Sequence, residues 1–130
     1  MKKLVFLLLA VMLLTGCGQN KEKEQGAVYV NITAEEAKRI MDSEEGYIIL
    51  DVREQDEYDA GHIPGAILIP YPQIAEKAEE VLTDKDQLIL VYCRSGRRSK
   101  IAAEALVELG YTNIKEFGGI IDWPYEVEKP

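Results

Sequence analysis

The chain has 130 residues, a length suited to one domain. It carries 23 acidic against 15 basic side chains, a formal charge of -8. A surface this acidic excludes nucleic acid and anionic lipid as partners of its general face, and the absence of repeats excludes a solenoid.

The first residues read as a processing segment. Met1-Lys2-Lys3 is basic, Leu4 to Leu14 is an unbroken apolar run, and Thr15-Gly16-Cys17 closes it with small residues. That is the three-part layout of a secretion signal. The run is too short to span a bilayer comfortably, which takes about twenty residues. Leu14-Thr15-Gly16-Cys17 resembles a bacterial lipobox. The resemblance implies cleavage before Cys17, a lipid on its sulfur, and an exported chain held at the extracytoplasmic face of the bacterial membrane. Two acyl chains anchor stably where one holds only marginally. Residues 1–16 are then a signal peptide and 17–26, polar throughout, a flexible tether. The domain is expected over 27–130. With lipid on Cys17, Cys93 is the one remaining thiol and no disulfide can form.

Val28 to Ile32 is β-branched and aromatic and predicts a strand. Thr33-Ala34-Glu35-Glu36 is a capping box that starts a helix reaching about Met41. Gly46 interrupts, and Tyr47 to Val52 is a continuous apolar run broken only by Asp51, as in a strand buried on both faces. Arg53 to Tyr58 predicts one helical turn, and Gly61 to Gly65 a turn-rich loop. Ala66 to Ile69 predicts a short strand. Pro72 suits the first turn of a helix ending near Leu82.

Leu88 to Tyr92 predicts the strand that delivers Cys93. Beyond it, Ile101, Ala102, Ala105, Leu106 and Leu109 fall at helical spacing, and Gly110 closes that helix. Tyr111 to Phe117 predicts a last strand, and Gly118-Gly119 a turn. Strands alternating with helices imply right-handed crossovers and an α/β fold with a mainly parallel sheet. Ligands of such sheets bind at the carboxyl ends of the strands, where Cys93 falls.

Cys93-Arg94-Ser95-Gly96-Arg97-Arg98 sets a thiol among cations on an acidic chain. Gly96 frees the backbone to turn its amides inward as an anion-binding nest, and the following helix adds its positive end. Such a loop would stabilise a thiolate or a small oxyanion. It is equally the loop of a buried cysteine with solvated arginines, and taken alone it does not decide between the two.

Three groups of motifs extend the comparison beyond the loop. Asp51-Val52-Arg53-Glu54 with Glu57-Tyr58 and Gly61-His62-Ile63-Pro64-Gly65-Ala66 forms the first. Val91 to Ser99 forms the second, and Gly110-Tyr111 with Gly118-Gly119-Ile120 and Trp123 the third. Together they resemble the rhodanese family over Val28 to Trp123. The resemblance implies a five-stranded, largely parallel sheet with helices on both faces. It implies that Cys93 attacks the outer sulfur of a donor such as thiosulfate, carries it as a persulfide, and passes it to a thiol or cyanide. Arg94, Ser95, Gly96, Arg97 and Arg98 would hold the persulfide and the departing oxyanion, Arg98 foremost. No cofactor and no metal is implied.

Related phosphatases place an arginine six positions after the cysteine, where this chain has Ser99. Arginine stands instead at Arg98, five positions on, as in the sulfurtransferases. His62, the one histidine, is expected to pack and hydrogen-bond rather than act as a base, and with one cysteine it makes no closed metal site. Asp51 and Arg53 are expected to order the loops as an ion pair. The expected partners are a small anionic sulfur donor, a thiol acceptor that could be a protein, and a membrane through Cys17. The alternative is a persulfide carrier that docks on a partner and turns over little by itself. A redox thiol protein is disfavoured, since no Cys-x-x-Cys pair is present.

Overall fold

The computed structural model of the chain describes residues 28–130. The expected signal peptide, Cys17 and the tether lie outside the described residues. The strands are β1 (Val30–Asn31), β2 (Ile48–Asp51), β3 (Ile67–Leu68), β4 (Ile89–Cys93) and β5 (Ile114–Gly119). The helices are α1 (Ala34–Ser43), α2 (Gln55–Ala60), α3 (Ile74–Val81) and α4 (Arg97–Glu108). The strands form one sheet in the order β1-β5-β4-β2-β3, and every neighbouring pair is parallel. β4 is central, and all five of its residues are buried.

Alternation along the strands separates two cores. Leu50, Ile89, Val91, Cys93 and Ile114 face α3 and α4, meeting Ile74, Ala78, Ala102, Ala103 and Leu106. Ile49, Leu90, Tyr92 and Phe117 face the other way, against Ala37 of α1, Ile63, Ala66 and Trp123. Helices on both faces are what buried parallel strands require. Cys93 therefore points toward the α4 side, and its neighbour Tyr92 toward the opposite side.

The capping box at α1 forms as its residues dictate. Glu36 N donates to Thr33 Oγ1 at 3.0 Å, and Thr33 N donates to Glu36 Oε1 at 2.9 Å. The helix expected near Pro72 opens as a 3-10 turn over Tyr71–Gln73 before α3. β1 is shorter than Val28 to Ile32 because it is an exposed edge, pairing only with β5.

Gly118 and Gly119 lie inside β5, where a turn was expected. Val91 pairs with Glu116 but Cys93 pairs with Gly119, so β5 carries one extra residue there. Such a bulge bends a strand and re-aims its side chains. Gly118 absorbs it with a φ of 86°, a conformation glycine adopts at little cost.

Candidate active site

The end of β4 and the start of α4 form the site. Gly96 caps α4 with a φ of 111°, in the left-handed region. This turns its amide back onto Cys93, and Gly96 N donates to Sγ at 3.0 Å. From the first turn of α4, Ser99 Oγ lies 3.4 Å from the same sulfur. Cys93 is only 1% exposed. Burial alone pushes its thiol pKa up. The Ser99 hydroxyl and the amides of Ser99, Gly96 and Ser95 outweigh that and hold it below the ordinary cysteine value. Hydrogen bonds to the charged form have this effect, and they mark a thiol suited to nucleophilic attack.

The loop comes this close to β5 because β5 has no side chain beneath it. A Cβ built on Gly119 would overlap the Arg94 carbonyl. Ile121 N also donates to Arg94 O at 3.2 Å, tying the loop to the chain leaving β5.

The three arginines have different surroundings. Arg98 donates from Nη1 and Nη2 to the two carboxylate oxygens of Glu57, at 2.8 and 3.0 Å. This fork lowers the Glu57 pKa to about 2, the Arg98 hydrogen bond being the main cause. The residue expected foremost to hold an oxyanion is thus held by a carboxylate of α2. Arg94 and Arg97 are exposed and belong to none of the ion pairs among the described residues. Arg94 borders a cleft of about 460 Å³, together with Arg53, Glu57, Gly61, Ile120, Ile121 and Val127.

Asp51 and Arg53 form a buried ion pair at 2.7 Å on the opposite side of the sheet from the thiol. Arg53 also donates to Gly61 O at 2.8 Å. Tyr92 donates to Asp51 Oδ2 at 2.6 Å and accepts from Ile63 N at 3.1 Å. His62 stacks on Tyr58 with ring centroids 3.8 Å apart, and its Nδ1 is 2.9 Å from Tyr58 O. It pairs through its backbone with Glu128. These groups brace the loop that carries Gly61 to Ala66.

Two residues of the site were not picked out from the sequence. Ser99 closes the Val91 to Ser99 motif and stands where a phosphatase carries arginine, with no role implied for it there, yet it touches the sulfur. Glu116 is 2% exposed and accepts from Ser99 Oγ and from Gly118 N. A glutamate between Ile114 and Phe117 in a central strand is the one local sign of it, since carboxylates are rarely fully buried.

A family model for a rhodanese-like domain matches residues 33–124. The chain belongs to the rhodanese family. An Escherichia coli thiosulfate sulfurtransferase is 40% identical over 73 residues, which cover 56% of this chain and 70% of that one. A Bacillus subtilis protein, named for sulfur carriage, is 36% identical over 112 residues. That match covers 85% of this chain but only 60% of the relative's length. A solved structure titled as a rhodanese with anions from Escherichia coli superposes with a TM-score of 0.61 at 36% identity. It covers 65% of this chain and 99% of its own. The five-stranded parallel sheet with helices on both faces is thus the rhodanese fold, as the motifs implied.

Proposed function

We propose that the protein is a sulfurtransferase that carries sulfur as a persulfide on Cys93. The supporting observation is the amide-lined thiol: Gly96 N at 3.0 Å and Ser99 Oγ at 3.4 Å from a buried sulfur held below its ordinary pKa. The Cys93 thiolate attacks the outer sulfur of thiosulfate or a similar sulfane donor. The new S–S bond forms as the old one breaks, and sulfite leaves with the electron pair of the broken bond. An acceptor thiolate, or cyanide, then attacks the outer sulfur and returns Cys93 as thiolate. This is covalent catalysis in two transfers. The same amides that favour the thiolate receive the terminal persulfide sulfur, and Arg94 at the cleft attracts the anionic donor.

The test is an intact mass after incubation with thiosulfate. The protein gains one sulfur atom, a Cys93→Ser variant gains none, and cyanide or a thiol removes it. No gain in the wild type, or equal gain in the variant, rejects the reading. The carrier reading has its own support in the Bacillus subtilis relative and in the exposed apolar rim of the cleft, Ile121 and Val127. Discharge by a specific protein but not by small thiols favours it.

The lipobox resemblance extends the proposal to location. The mature protein is exported and held at the bacterial membrane by lipid on Cys17. Detergent partitioning of the cellular protein tests this, and Cys17→Ala is expected to move it to the aqueous phase.

A further inference from the structure

Ser99 joins Cys93 to a buried carboxylate. Cys93 Sγ is placed to donate to Ser99 Oγ at 3.4 Å, and Ser99 Oγ donates to Glu116 Oε2. Ser99 has three acceptors in reach, the others being Gly96 O at 3.0 Å and Gly118 O at 3.3 Å. A hydroxyl has one proton to give, and of the three acceptors Glu116 Oε2 makes the shortest contact. The result is a continuous path, thiol to hydroxyl to carboxylate, within a site whose three members are each at most 2% exposed. The β5 bulge is what aims Glu116 along it, because Gly118 N turns back to hold Oε2 at 2.9 Å. None of the ion pairs among the described residues includes Glu116.

We propose that Glu116 takes up the Cys93 proton through the Ser99 hydroxyl. The sulfur's proton passes to Ser99 Oγ as the Ser99 proton passes to Glu116 Oε2. Cys93 becomes a thiolate, Ser99 is unchanged, and Glu116 becomes a neutral carboxyl. Total charge is conserved, so the thiolate forms without releasing a proton to water. Glu116 never touches the sulfur and is a positioning residue that acts through Ser99. Other titratable groups border the path. Tyr29 lies near Glu116 and Glu104. Arg98, paired with Glu57, is close enough to Cys93 to feel its charge. The Lys100 ammonium lies beside Gly96.

The inference rests on the proposed function only for the choice of nucleophile. Its test is alkylation by iodoacetamide, which needs no sulfur donor, so failure of sulfur transfer and failure of the relay are separate outcomes. The rate is followed against pH on the Cys93 peptide by mass spectrometry. Two groups that share a proton titrate in two steps that belong to the pair. The wild type is expected to show two rises with a plateau between them. Glu116→Gln keeps the shape but cannot take the proton, and Ser99→Ala cuts the path. Each is expected to show one rise and no plateau. At the acid end of the wild-type plateau each reacts about 100-fold more slowly, the lower range for a positioned base. A single rise in the wild type overturns the proposal without any variant. A profile of either variant that superimposes on a two-step wild type overturns it too.

Discussion

Gly119 and Arg94 are packed so closely that no side chain fits between them. The position a Cβ would take on Gly119 is occupied by the Arg94 carbonyl, with Ser95 N 2.5 Å away. Both neighbours are backbone, so neither can swing aside. Gly119→Ala must push the cysteine loop off β5, and overpacking of this kind costs about 1–3 kcal/mol. The displaced amides would also leave the sulfur. The expected result is a lower urea midpoint together with loss of the persulfide mass gain. Gly118→Ala is the contrast. Nothing lies within 4 Å of its Cβ position, and only its φ of 86° is strained. It should cost about 1–2 kcal/mol and leave the sulfur gain in place. Equal loss of sulfur uptake in both variants would show that close approach at Gly119 is not the controlling feature.

The Glu57–Arg98 pair predicts an acid limit to stability. The Glu57 pKa is lowered from 4.5 to about 2 in the folded protein, mainly by the Arg98 hydrogen bond. A carboxylate with a depressed folded value stabilises the fold above its unfolded value and loses that contribution as pH falls through the folded one. The pair's contribution is therefore complete above pH 4.5 and fades toward about pH 2. The Glu57 side chain is 25% exposed, so solvent screens it, and about 1 kcal/mol is the expected size near neutral pH. Urea unfolding of Glu57→Gln at several pH values should show that loss at neutrality and a flatter profile below pH 4.5. A profile parallel to the wild type through that window would reject the assignment.

The sheet was legible where one strand's own residues carried the signal. Ile48 to Leu50 and Ile89 to Val91 are short uninterrupted apolar runs, the pattern of a strand covered on both faces. Thr33 and Glu36 announced α1 through a local capping exchange. The site was legible only in part. Cys93, Gly96 and the arginines stand together in the sequence, so their shared loop could be read directly. Glu57 and Arg98 are separated by 41 positions, and nothing local pairs one carboxylate with one guanidinium among many. Glu116 depends on a bulge that exists only once β5 is paired with β4. Gly118-Gly119 reads as a turn for the same reason, because two adjacent glycines mark a turn unless another backbone needs the space.

Tyr92 offers a test of which side of the sheet governs stability rather than reactivity. Its hydroxyl donates to Asp51 and accepts from Ile63 N, on the face opposite Cys93. Burial first, then the Asp51 charge, push its pKa far up, so it stays protonated and remains a donor. Tyr92→Phe leaves the buried Ile63 amide without a partner, which costs about 1–3 kcal/mol. Asp51 keeps its ion pair with Arg53. The expected outcome is a lower urea midpoint with an unchanged pH profile of Cys93 alkylation. A shifted profile would mean that the two faces are coupled through β4.

The three loop arginines should separate in steady-state kinetics with thiosulfate. Arg94 borders the cleft and Arg97 does not, while Arg98 is engaged by Glu57. An anion entering the cleft meets Arg94 with no protein carboxylate to compete for it among the described ion pairs. Arg94→Ala should raise KM about tenfold, the size of one lost charge-assisted contact, with kcat little changed. Arg97→Ala should change neither, because its exposed charge is screened and it does not line the cleft. Arg98→Ala should lower stability, since it strands Glu57 and frees α2 from α4. A KM that rises for Arg98→Ala alone would instead assign the donor to the guanidinium that Glu57 holds. The anion would then have to displace a carboxylate bound through both its oxygens before it could reach Cys93.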